Sequence, residues 1–144
     1  MRVADVLKGK GSSIKSIEPT ASMKALADRL RAEDVGAMIV SAGKGDFQGI
    51  ITERDVARGF ATYGGALESM RVSDLMSRQV VTCASSDAIS AVARIMTERR
   101  IRHLPVRDGD GLVGLVSIGD VLKSRIDEVQ LEANVLRDYA IAHR

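Results

Sequence analysis

The chain has 144 residues, too few for two large independent domains, and 45% are apolar, with no Trp, two Phe and two Tyr, so its core is aliphatic and aromatic base-stacking platforms are disfavoured. The net charge of +2 concentrates its excess at Arg99, Arg100 and Arg102, a cluster too short for a long nucleic-acid face. The single cysteine, Cys83, makes no internal disulfide, which fits a reducing, cytoplasmic setting, and no run approaches the roughly 18 apolar residues of a membrane span.

Hydrophobic periodicity places the elements in chain order. After an opening Val3–Leu7 and a Gly/Lys/Ser loop at 8–13, the pattern predicts a strand over Ile14–Ile17, a helix over Met23–Glu33 and a strand over Ala37–Val40. A turn at Gly43–Asp46 leads into a strand Phe47–Ile51 and a helix from Thr52, which the breaker pair Gly64-Gly65 ends. The order then recurs. Val80–Cys83 reads as a strand, Ser86-Asp87 as the N-cap of a helix with Ile89, Val92, Ala93 and Met96 on one face, and His103–Val106 as a strand. A hairpin turn at Asp108-Gly109-Asp110-Gly111 returns the chain through Leu112–Val116, and Ser117 opens the last helix. Beyond it, Leu122, Ile126, Val129, Ala133, Leu136 and Ala140 form a four-three apolar seam, suited either to its own module or to a second copy.

The recurrence is also literal. Gly49-Ile50-Ile51-Thr52-Glu53-Arg54-Asp55-Val56 returns as Gly114-Leu115-Val116-Ser117-Ile118-Gly119-Asp120-Val121, 65 positions on. Ala25, Leu30 and Val40 match Ala91, Met96 and Val106 at an offset of 66, and Val3–Leu7 matches Val72–Met76 at an offset of 69. Neither repeat has enough strands to bury its own sheet. The predicted fold is therefore mixed α/β (α+β): two β-α-β-β-α repeats packed with pseudo-twofold symmetry, at 1–64 and 65–127, followed by a C-terminal helical tail at 128–144.

Two readings fit Thr52-x-x-Asp55 and Ser117-x-x-Asp120, each at a strand-to-helix junction. The spacing is that of a capping box, in which hydroxyl and carboxylate satisfy the first helical N–H groups. A helix start is also where a phosphate is favoured, with the carboxylate free to accept from ribose hydroxyls. The readings can coexist. The whole Gly-apolar-x-Thr/Ser-x-x-Asp string, occurring twice at matching points, together with Thr52-Glu53-Arg54-Asp55 and Arg102-His103-Leu104-Pro105-Val106, resembles the CBS-domain family over residues 3–125.

That resemblance implies a non-catalytic regulatory module that binds adenine nucleotides (AMP, ATP or NAD(H)) in clefts between its two repeats, requires no cofactor, forms a homodimer and signals to a partner in trans. Carried over by position, the first cleft would use Thr52 and Asp55, with Arg54 toward a phosphate and the base against Ser77, Val80, Ile101, Arg102 and His103. The second would use Ser117 and Asp120, with Ile14, Gly36, Ala37 and Met38 around the base. Where the first has Arg54 the second has Gly119, a loss for which Lys8 and Lys10 could substitute, so unequal affinities are expected.

Other features are open to plainer readings. The arginines near Arg102 suit either a solvated helix end or a phosphate. His103 reads as a polar strand residue and Cys83 as a small strand hydrophobe. No Ser, Cys or His has the neighbours of a nucleophile or general base, so no catalytic or metal-binding residue is expected. The rival from another class is an interaction module without ligand, in which both strings only cap helices; a small nucleotide hydrolase is a more remote alternative.

Overall fold

A computed structural model describes residues 1–143. Its elements in order are α1 (Val3–Lys10), β1 (Ser16–Ile17), α2 (Met23–Glu33), β2 (Ala37–Val40), β3 (Gly49–Thr52), α3 (Glu53–Tyr63), a 3-10 turn (Gly64–Ser69), α4 (Val72–Leu75), α5 (Ile89–Arg99), β4 (His103–Asp108), β5 (Gly111–Ser117) and α6 (Ile118–Ala142). The chain packs as two compact units, Ser13–Val81 on the one hand and Met1–Ser12 with Thr82–Arg144 on the other. The repeats therefore exchange their opening segments: the start of the first packs with the second, and Val72–Val81 packs with the first.

In the Ser13–Val81 unit, β2 is central, parallel to β1 through Ser16↔Ile39 and Ile17↔Val40 and antiparallel to β3 through Ala37↔Thr52 to Val40↔Gly49. All four β2 side chains are buried. The core gathers Ile17, Met23, Leu26, Leu30, Met38, Val40 and Ile51 with Leu67 of the 3-10 turn and Val72 and Met76 of the incoming segment. That segment reaches the sheet edge, where Ile50 and Ser77 exchange backbone hydrogen bonds of 3.0 and 2.9 Å. Gly64, at φ +57°, ends α3 as the breaker pair requires.

The other unit is built on the β4–β5 hairpin, from His103↔Ser117 to Asp108↔Gly111. Its buried side chains include Val3, Leu7, Cys83, Ile89, Val92, Met96, Leu104, Val106, Val116 and Val121. Helix α1 is stitched in by Val3 N–H to the Asp87 carbonyl and Ala4 N–H to the Ser85 carbonyl, both 2.9 Å, while Ile89 N–H donates to the Met1 carbonyl at 3.0 Å. The repeat extends to backbone detail: α2 and α5 both end on a non-glycine residue in the left-handed region, Asp34 (φ 52°) and Arg100 (φ 54°).

Several expectations change. Lys8–Lys10 belong to α1 and are not loop. Val80–Cys83 is not a strand; only Cys83 bridges Val106. The cause is Pro105. In the first repeat Ile39 N–H donates to the Lys15 carbonyl, but Pro105 occupies the matching place and has no N–H to give Val81. Helix α5 is capped at Ala88, not Ser86-Asp87, because Asp87 turns back to accept from Ala84 N–H at 2.8 Å. Strand β3 begins at Gly49, not Phe47, and β4 and β5 extend beyond their expected ends. The seam residues of the tail lie on the same unbroken 25-residue helix that starts at Ile118, with Leu122, Ile126, Val129 and Leu136 57–69% exposed, so they do not pack back on their own unit.

Candidate functional site

Both repeated strings form the strand-to-helix junctions expected of them. At α3 the Thr52 backbone N–H donates to Asp55 Oδ2 at 2.8 Å and the Thr52 hydroxyl lies 3.3 Å from the same oxygen. At α6 the box closes in both directions: Ser117 N–H donates to Asp120 Oδ2 at 2.8 Å, and Asp120 N–H donates to Ser117 Oγ at 3.2 Å. Helix capping is thus a built function of each Asp. It occupies Oδ2 in both cases, so capping and acceptance of a ligand hydroxyl by the other oxygen are compatible.

Each junction also stands beside the entry of its unit's preceding strand. Glu53 N–H donates to the Gly36 carbonyl at 2.9 Å and Ala37 pairs with Thr52; in the other unit Ile118 N–H donates to the Arg102 carbonyl at 2.8 Å and His103 pairs with Ser117. Thr52, Arg54, Asp55, Ser77, Val80, Ile14, Gly36, Ala37 and Met38 belong to the Ser13–Val81 unit, and Ile101, Arg102, His103, Ser117 and Asp120 to the other. Ser77 and Arg102 are exposed, and Arg54, Val80, Ile14, Gly36, Ile101 and His103 are partly buried. Ala37 is buried, and the Met38 side chain is fully enclosed in the core, offering no exposed surface to a ligand.

The electrostatics of the two carboxylates differ. Lys10 Nζ contacts Asp120 Oδ2 at 2.6 Å and the Leu115 carbonyl at 2.9 Å. Burial pushes the Asp120 carboxyl up, but the hydrogen bonds from Lys10 and the Ser117 N–H, with the charge of Lys10, outweigh it and hold the group below the usual carboxylate range. That Lys10 can serve the second string follows from the sequence only as a possibility; its contact depends on the exchange of opening segments. Elsewhere, Cys83 is buried, and its desolvation, assisted by Asp87 and Asp108, pushes the thiol up to about 11, so it is packing material and not a reactive thiolate. Among the described residues no group of three His, Cys, Asp or Glu could hold a metal ion, and no helix is long and apolar enough to cross a membrane.

The family model for the CBS domain matches residues 3–62 and 72–127. The mitochondrial CBS domain-containing protein CBSX3 of Arabidopsis thaliana is 32% identical over 146 residues, covering 95% of this chain and 70% of its own. The crystal structure of the CBS-domain containing protein ATU1752 from Agrobacterium tumefaciens superposes with a TM-score of 0.85 at 37% identity, over 87% of this chain and 99% of that one. The CBS domain pair of protein MJ0100, solved in complex with 5'-methylthioadenosine and S-adenosyl-L-methionine, shares the fold at a TM-score of 0.74 and 24% identity, over 90% of this chain and 98% of its own.

Proposed function

The chain belongs to the CBS-domain family, and from that membership we propose that it is a non-catalytic sensor module that binds an adenine nucleotide, AMP, ATP or NAD(H), at two half-sites, Thr52 with Asp55 and Ser117 with Asp120. The observation that carries the reading is the repeated string itself: in each repeat a partly buried carboxylate, fixed on one oxygen by a backbone N–H, stands at the first turn of a helix. Such a carboxylate presents its second oxygen to ribose hydroxyls, and the helix start favours the adjoining phosphate. The pairing of each half-site with base-contacting residues of the other repeat is part of this proposal. So is the compartment, the cytoplasm; imaging of a tagged chain tests it, since one relative is mitochondrial. The adenosine ligands of the MJ0100 pair define the class of compounds to be tried.

Isothermal titration with AMP, ADP, ATP, NAD, NADH and S-adenosylmethionine tests the reading. Asp55→Ala is expected to remove one binding event and Asp120→Ala another. Each substitution also removes a cap, at about 1 kcal/mol of stability. Variants that lose this stability while keeping every binding event would favour the second reading, a ligand-free interaction module in which the carboxylates only cap, and the observed capping bonds are the ground for keeping it.

Signalling in trans requires that the ligand bind two arrangements of the module unequally. A homodimer is the expected assembly, because the exposed stripe of Ile118, Leu122, Ile126, Val129 and Leu136 runs the length of α6 and has no cover within its own unit. Leu122→Glu combined with Val129→Glu is expected to shift the protein to a monomer in light scattering; an unchanged mass would place the interface elsewhere.

A further inference from the structure

The two half-sites carry their cations differently. Beside Asp55 the string itself supplies Arg54, but at the matching place before Asp120 stands Gly119, where an added Cβ would meet nothing closer than Ser117 Oγ at 3.6 Å. Into this unit the exchanged segment brings Lys10, whose counterpart in the other opening segment, 69 positions on, is the uncharged Gln79. A lysine ammonium has three N–H donors. Two of them meet Asp120 Oδ2 and the Leu115 carbonyl, and among the described residues the third has no partner; Lys10 keeps 39% of its side chain exposed and Asp120 20%. The bonds from Lys10 and from the Ser117 N–H both fall on Oδ2 of the carboxylate and leave Oδ1 aside.

Building on the nucleotide-binding reading, we propose that Lys10 is the specificity-determining residue of the Asp120 half-site: its third N–H takes a 5'-phosphate oxygen while Asp120 Oδ1 takes the ribose, so this half-site selects phosphorylated over uncharged adenosines. The ammonium is held in place by the main chain of β5 and by the carboxylate, so it is positioned before the ligand arrives and little side-chain freedom is lost on binding. Removing Lys10 leaves Asp120 tethered by the Ser117 N–H, so recognition of the ribose survives its loss. Lys10 thus acts on the phosphate directly.

Titration of the full chain in an Asp55→Ala background reads the Asp120 half-site, with AMP and adenosine as probes. Lys10→Gln is expected to weaken AMP by about tenfold or more and adenosine by less than about threefold, as loss of one charge-assisted hydrogen bond would. Lys10→Arg should restore AMP to within about threefold, since guanidinium also binds phosphate. Equal losses for AMP and adenosine would overturn the proposal and make Lys10 a support for Asp120, and unchanged AMP affinity would overturn it outright. AMP binding that disappears with Asp55→Ala alone would overturn it too. Failure of every adenosine compound to bind the unsubstituted chain is a different result: it would remove the nucleotide-binding reading, and this proposal with it.

Discussion

Leu7→Asp is expected to unfold the unit that contains the second repeat, although Leu7 lies in the first. Leu7 is buried against that unit, its side chain over Gly114, and Val3 beside it is fully enclosed. The substitution loses the burial of a leucine, about 1.5–3 kcal/mol, and places a carboxylate in an apolar site, for several more. The total approaches the roughly 5–15 kcal/mol that holds a small domain together. Hydrogen exchange should therefore show lost protection in α5, β4 and β5. Met76→Asp is the mirror experiment: Met76 is the repeat counterpart of Leu7 and belongs to the core of the Ser13–Val81 unit, so its loss should expose β1, β2 and β3. Damage confined in each case to the substituted residue's own repeat would contradict the exchange of opening segments.

Gly49→Ala is expected to be the more costly of two equivalent substitutions. Gly49 and Gly114 head the two copies of the repeated string, and each lies beneath the opening segment that came from the other repeat. A Cβ on Gly49 would stand 2.3 Å from the Ser77 carbonyl oxygen, which is backbone held to Ile50 by a reciprocal pair of hydrogen bonds. Relief means breaking that pair, at about 1 kcal/mol per bond, on top of about 1–3 kcal/mol of overpacking. A Cβ on Gly114 would meet Leu7 Cδ2 at 2.6 Å, the end of a side chain that can rotate away. Urea unfolding should show a loss of about 3 kcal/mol or more for Gly49→Ala and about 1 kcal/mol for Gly114→Ala. Equal losses would mean that Ser77 yields as easily as Leu7.

The sequence made the repeat, the fold class and the extents of α2 and β2 legible because these rest on local periodicity and on literal recurrence. Both Thr/Ser-x-x-Asp junctions were readable for the same reason, since capping chemistry spans three residues. What escaped was decided between distant residues. The exchange of opening segments leaves no mark on periodicity, so repeats read at 1–64 and 65–127 do not coincide with the packing units Ser13–Val81 and Met1–Ser12 with Thr82–Arg144. Val80–Cys83 has the composition of a strand, and what prevents it is a proline 24 positions beyond Val81 with no N–H to donate. Met38 was placed beside the base by the family resemblance, yet its side chain is enclosed in the core. Lys10 was visible as a candidate, but its contacts with Leu115 and Asp120 come from residues 105 and 110 positions away.

Binding of an adenine nucleotide by the folded chain is read from the thermal stability of the nucleotide-stripped protein against AMP, ADP, ATP, NAD, NADH and S-adenosylmethionine. A ligand that binds only the folded state, at about a hundred times its dissociation constant, adds roughly 2.7 kcal/mol. The expected result is a raised midpoint with at least one phosphorylated adenosine compound, abolished in the Asp55→Ala, Asp120→Ala double variant. An unchanged midpoint with all six compounds would contradict nucleotide binding and leave an interaction module that uses both carboxylates only as helix caps.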